Sequence, residues 1–168
     1  MSSKKNKVLD YIKNVLEVPR QEYNGMPACP FAKQERKSNN IYFDEIKEGN
    51  DFLMCMKRFV DSNMNSAIFI QEEEIEENET KAYQRYLNKV LKSLNITYWK
   101  VLCLNPNDKL EVDDLNVRAL APCFLILINP KKQINDAHKS LLKTKYYDKM
   151  SIKYKKFLNV KKWQQKWF

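Results

Sequence analysis

The chain has 168 residues and a net charge of +9, and 43% of it is hydrophobic. That is the length of one domain, with enough apolar content for a core that needs no disulfide or metal staples. Two glycines, Gly25 and Gly49, exclude the glycine-rich phosphate loops, and a single histidine, His138, argues against zinc proteases and two-His iron sites.

Residues 5–17 place Val8, Leu9, Ile12, Val15 and Leu16 at the spacing of one helix face, and Pro19 ends that helix. A polar connector over 18–40 follows, holding Pro19, Gly25, Pro27 and Pro30, with no strand pattern. Ile41-Tyr42-Phe43 begins a first strand. Gly49-Asn50-Asp51 caps a helix over 51–62, where Phe52, Met56, Phe59 and Val60 fit the helical period. Ala67-Ile68-Phe69-Ile70 is a fully apolar run that suits a buried strand. The segment 72–79 carries six glutamates, and a helix over 80–94 then shows Tyr83, Tyr86, Leu87, Val90, Leu91 and Leu94 on one stripe. Residues 97–104 read as a third strand, broken by Asn105-Pro106-Asn107-Asp108. Phe124–Ile128 is a fourth strand stopped by Asn129-Pro130, and it is too short to span a bilayer. Residues 134–147 look helical, with Ile134, Ala137, Leu141 and Leu142 facing inward.

The order α-β-α-β-α-β-β-α predicts an α/β fold, a single domain over 1–148 with a four-stranded mixed sheet and helices packed on it. The strands at 97–104 and 122–128 either pair antiparallel, or residues 109–118 add a small element. Residues 149–168 form a basic, aromatic C-terminal extension. Charge is segregated in the same way: from Lys143 to Phe168 there are nine lysines and one acid, Asp148, so this segment holds +8 of the net +9. Richness in lysine with scarce arginine and glycine also fits an AT-rich bacterial or phage genome.

Nothing resembles a signal peptide, so a cytoplasmic, reducing compartment with free thiols is expected. Cys55, Cys103 and Cys123 sit in or beside apolar runs and read as small core residues. Cys29, in Ala28-Cys29-Pro30-Phe31-Ala32-Lys33, differs. Proline favours the first helical position, which makes Cys29 the N-cap of a turn whose free N–H groups and dipole would stabilise a thiolate. Lys33 and Arg36 add positive charge, and His138 is the one imidazole available as a general base. The competing reading is that Cys29 plugs the loop into the core and His138 lies on an exposed helix face.

The helix leading into Cys29-Pro30-Phe31-Ala32 resembles a family of bacterial and phage proteins of similar length that carry the same tetrapeptide in the same place. The lead-in Lys139-Ser140-Leu141-Leu142-Lys143-Thr144 before Tyr146-Tyr147-Asp148 is similar too. The resemblance implies no particular activity, but it gives Cys29 weight beyond packing.

The acidic run lacks the glycine of oxygen-ligand cages and reads as a solvated loop, so no metal site and no cofactor are expected. The extension interleaves lysines with aromatic residues. Lys153, Lys155, Lys156, Lys161, Lys162, Trp163, Lys166 and Trp167 are the candidate contacts to nucleic acid or another polyanion, lysines on phosphates and rings on bases. A membrane surface is a further candidate partner, behind nucleic acid, and docking of the aromatics on the body is the structural alternative. Two functions therefore compete. One is thiol-dependent chemistry on a small anionic substrate through Cys29, Lys33, Arg36 and His138. The other is a non-enzymatic binding module that uses the extension.

Overall fold

The computed structural model describes residues 2–150 apart from 49–50, 74, 77–78, 108, 113–114 and 119–120. Helix α1 (Ser2–Tyr11) runs directly into a π-helical turn, Ile12–Leu16, closed by the Glu17 N–H on the Ile12 carbonyl at 3.0 Å. Two-residue strands β1 (Pro19–Arg20) and β2 (Met26–Pro27) form a small hairpin around a 3-10 turn, Gln21–Tyr23. Asn24 and Gly25 carry the reversal with φ of 54° and 78°, the left-handed region that asparagine and glycine tolerate. Helix α2 (Ala32–Lys37) then leads to β3 (Ile41–Ile46). The 18–40 connector is thus a hairpin and a short helix, elements too small for a periodic signal.

The main sheet is built from β3, β4 (Ser66–Gln71), β5 (Trp99–Leu104) and β8 (Phe124–Pro130). Its order is β3-β4-β8-β5, with β3 parallel to β4 and β8 antiparallel to both of its neighbours. Helix α3 (Phe52–Asp61) connects β3 to β4, and α4 (Thr80–Ser93) carries the chain from β4 across to β5. Residues 109–118 supply the small extra element, a hairpin of β6 (Lys109–Val112) and β7 (Leu115–Arg118), so both alternatives for this region hold together. Helix α5 (Lys131–Leu141) follows β8.

Alternation along the central strands divides the core. Ala67, Phe69, Ile126 and Ile128 pack with Phe52, Cys55, Met56 and Phe59 of α3 and with Leu87 and Leu91 of α4. Ile68, Ile70 and Leu125 face the opposite way, onto Val8 and Tyr11 of α1, Ile12 of the π turn and Ala32 of α2. Successive side chains of a strand point to opposite faces, so one apolar run serves both layers. The α/β class with a four-stranded mixed sheet is as expected.

Several local expectations are corrected. Val60 and Tyr86 are exposed because each sits one step of helix rotation from the buried stripe, and Leu94 is exposed because α4 ends before it. β8 continues through Pro130, opposite Trp99, and the proline also opens α5, where its missing N–H costs nothing. α5 ends at Leu141 instead of continuing to 147. The Thr144 hydroxyl donates to the Leu141 carbonyl at 2.7 Å and accepts the Tyr146 N–H at 3.2 Å, local bonds that replace the helical ladder.

Candidate functional site around the Cys29 loop

The π turn at the end of α1 sets the Cys29 loop in place. Its Leu16 carbonyl accepts the Cys29 N–H at 3.0 Å, and the Cys29 carbonyl accepts the Ala32 N–H at 3.1 Å. α2 therefore starts at Ala32, with Phe31 rather than Cys29 in the N-cap position, and Pro30 lies in the turn before it. The N–H groups of Phe31 and Ala32 do reach the Cys29 sulfur and favour the thiolate, as Cys-Pro spacing predicts. Burial outweighs them and pushes the thiol up from its ordinary value, and the carboxylates of Glu35 and Glu17 add to the rise. Burial thus works against the easily ionised sulfur expected at this position.

The supporting residues are engaged elsewhere. Arg36 binds Glu17 with two hydrogen bonds, Nε to Oε1 at 2.6 Å and a terminal nitrogen to Oε2 at 2.8 Å. This fork neutralises a nearly buried carboxylate, holds Glu17 below the usual carboxylate range and ties α2 to the π turn. Lys33 is exposed. His138, on α5, is half-buried rather than on an exposed face, and its Nδ1 lies 2.6 Å from the Tyr147 hydroxyl. Burial and Lys100 hold the imidazole below its ordinary value, while burial pushes the Tyr147 phenol up to about 12. Both groups are therefore neutral, and they share one hydrogen bond whose direction follows the imidazole tautomer.

Next to the loop, residues 142–150 fold back on the β1–β2 hairpin. Tyr146, Tyr147, Met150 and Tyr23 form a buried cluster with Ala28 and Met26 at its margin. Tyr23 and Tyr146 stack with ring centroids 5.1 Å apart, and Tyr147 meets Tyr146 edge-on at 5.0 Å. The Tyr146 hydroxyl donates to the Ala28 carbonyl, Asn24 Nδ2 donates to the Lys145 carbonyl at 2.6 Å, and the Lys149 ammonium donates to the Gln21 carbonyl at 3.2 Å. Buried Met150 shows that this packing reaches past residue 148. Sequence reasoning missed Glu17 as the partner of Arg36, and Tyr23, Tyr146 and Tyr147 as parts of one cluster. Tyr146 lies 118 residues from Ala28 and Lys149 lies 128 from Gln21, and no short-range pattern signals such pairing.

A cleft of about 400 Å³ opens between α2 and α5, with Phe31, Glu35, Tyr98, Gln133 and Asp136 among its walls. Neither Cys29 nor His138 lines it. Gln133 donates through Nε2 to Glu35, and its Oε1 is closed off from solvent without a hydrogen-bond partner. Asp136 is paired with Lys132 at 2.8 Å.

At the other end of the sheet, Asp44 is held by Arg58 at 2.7 Å, and Lys4 bridges Glu72 and Glu45. Glu72 belongs to the acidic run, and its pairing with Lys4 accords with a structural role. Among the described residues no group of three or more His, Cys, Asp or Glu side chains is placed to hold a metal ion, and no helix is long and apolar enough to cross a membrane. The candidate contacts Lys153, Lys155, Lys156, Lys161, Lys162, Trp163, Lys166 and Trp167 lie outside the described residues. Comparison of the chain with protein-family models, with curated proteins and with solved structures finds no match.

Proposed function

We propose that this protein is a non-enzymatic binding module that holds nucleic acid, or a polyanion of similar charge density, through its lysine- and aromatic-rich C-terminal segment. The observation that carries this reading is the separation of charge. Residues 143–168 hold +8 of the net +9, and the body is left nearly neutral. Within the described part of that segment, Lys143 and Lys145 are exposed while Tyr146, Tyr147 and Met150 are buried. The aromatic residues thus anchor the stem to the body, and the cations remain available for phosphates. Scarce arginine fits backbone contact and stacking rather than base-specific readout.

Fluorescence anisotropy with a labelled single-stranded oligonucleotide tests the proposal. Binding should weaken steeply between low and physiological salt, and disappear on truncation after Met150, which keeps the buried cluster intact. Binding that ignores salt, or survives truncation, refutes it. Anionic vesicles in place of the oligonucleotide separate a membrane surface from nucleic acid.

Thiol-dependent chemistry at Cys29 is the second reading, supported by the Phe31 and Ala32 amides directed at the sulfur. It is ranked lower because burial raises the thiol, Arg36 is committed to Glu17, and the cleft does not include Cys29. Iodoacetamide modification against pH decides it: a Cys29 midpoint below the free-thiol value of about 8.5 supports this chemistry, and one above it removes the case.

A further inference from the structure

Hydrogen-bond alternation across the sheet decides what each edge strand shows to the outside. The Ser66 N–H donates to the Asn40 carbonyl at 3.2 Å, and Ile41 is paired with Ser66, so the even-numbered residues of β3 bond to β4 and the odd-numbered ones face outward. The same alternation, carried through β4 and β8, turns Val101 and Cys103 outward from β5.

The two edges are treated differently. On β5, Asn88 of α4 donates through Nδ2 to the Val101 carbonyl at 2.9 Å and accepts the Val101 N–H at 3.1 Å. Gln84, one helical turn earlier, accepts the Cys103 N–H at 2.8 Å. Side-chain amides thus stand where the peptide groups of another strand would lie, and this edge is plugged. On β3, Glu45 is capped in the same sense, its N–H on Asp44 Oδ1 at 2.9 Å and its carbonyl on the Cys55 thiol at 3.7 Å. The backbone N–H and carbonyl groups of Ile41 and Phe43 have no partner among the described residues.

We propose that the outer edge of β3 is an interface, and that a second copy of this chain adds its own β3 there, antiparallel about a two-fold axis at Tyr42. The register follows from the unpartnered groups. With Tyr42 opposite itself, Ile41 of one copy faces Phe43 of the other, and each such pair exchanges both of its hydrogen bonds. Every unpartnered group of the two strands is then used, and the contact stops short of the capped Glu45. The side chains agree with this register. Tyr42 meets Tyr42, Ile41 meets Phe43, and Asp44 stands opposite Asn40, so no like charges oppose one another along the strands. Arg58 on the flanking helix is neutralised by Asp44. A two-fold contact needs one surface that complements itself, which this edge supplies and the plugged β5 edge does not.

Sedimentation equilibrium of the full chain tests the proposal. A contact this small belongs with transient interfaces, so the apparent mass should climb toward that of two chains as concentration rises from about 1 μM to about 1 mM. Ile41→Pro removes an outward N–H that takes no part in the ladder with β4, at the first residue of an edge strand, where proline is tolerated. It should weaken the dimer by about tenfold or more, with unchanged far-ultraviolet circular dichroism. Tyr42→Cys, combined with Cys29→Ser and Cys123→Ser to remove the partly exposed thiols, should form an intermolecular disulfide under mild oxidation. Facing residues of a non-hydrogen-bonded pair lie about 4.5 Å apart at Cα, within disulfide reach. Tyr86→Cys in the same background, exposed on α4, should stay unlinked. A monomer at every concentration overturns the proposal and leaves the edge to an extended segment of another protein. A dimer that Ile41→Pro does not weaken, or that folded Tyr42→Cys does not trap, overturns it as well, since association then uses another surface.

Discussion

On one side of the sheet, Phe59 lies among Tyr42, Phe69 and Trp99 with ring centroids 5.0 to 6.5 Å away, and the surrounding cluster is apolar throughout. On the other side, Val8, Tyr11 and Ile12 pack near Cys29 and an almost buried Glu17–Arg36 pair. The same two central strands floor both layers. The α3/α4 layer surrounds its rings and aliphatic chains with polar contacts from helix to sheet edge, Asn88 on both backbone groups of Val101 and Gln84 on the Cys103 N–H. The α1/α2 layer must also keep hydrogen bonds and charges matched, because a buried polar group without a partner costs more than its bond returns.

The sharpest way to break this comparison is to empty the apolar layer. Phe59→Ala removes a fully buried ring and should lower unfolding stability by about 3–5 kcal/mol, read from urea denaturation at constant slope. Tyr147→Phe acts on the polar assembly beside the other layer. It leaves His138 Nδ1 without its Tyr147 partner and should cost about 1–3 kcal/mol in the same measurement. Asp51→Ala removes the N-cap of α3, whose carboxylate accepts the Met54 N–H at 2.9 Å, and should cost about 1 kcal/mol.

A smaller effect comes from pH. His138 is held below the ordinary imidazole value of 6.5, so the unfolded chain binds the proton more readily. The stabilisation is complete above 6.5 and is lost as pH falls through that value. Melting temperature should therefore drop as pH is lowered from about 7 to about 5, and His138→Gln should flatten that slope; an equal slope in the variant would assign it to other groups. At the bottom of the scale, Val60→Ser on the exposed side of α3 should change stability by no more than about 0.5 kcal/mol. A larger loss would mean that this face is covered in solution.

The sheet was legible where its chemistry is extreme. Ala67–Ile70 and Phe124–Ile128 are apolar without interruption, and only a strand buried on both faces asks for that. The insertion of β8 between β4 and β5 was not legible, because alternation tells which way a side chain points and not which strand lies alongside. The π turn left no trace either: moving one backbone bond from i+4 to i+5 keeps Ile12, Val15 and Leu16 apolar. At the candidate site, the Cys-Pro pair correctly signalled amides near the sulfur, since that depends on adjacent residues. Burial of Cys29 was the competing reading of the same residues, but nothing in them pointed to α1 as the cover or to the Glu17 that takes Arg36 away. Tyr146 and Tyr147 read as the end of a helix, because their partners Tyr23 and Ala28 are remote in the chain.

The strand order also governs how the chain matures on the ribosome. β4 and β5 are translated well before β8, and each keeps a row of unpaired backbone groups on its inner edge until Phe124–Pro130 emerges to fill the gap. A chain cut short before residue 124 leaves both inner edges bare and should aggregate rather than persist as a smaller folded unit.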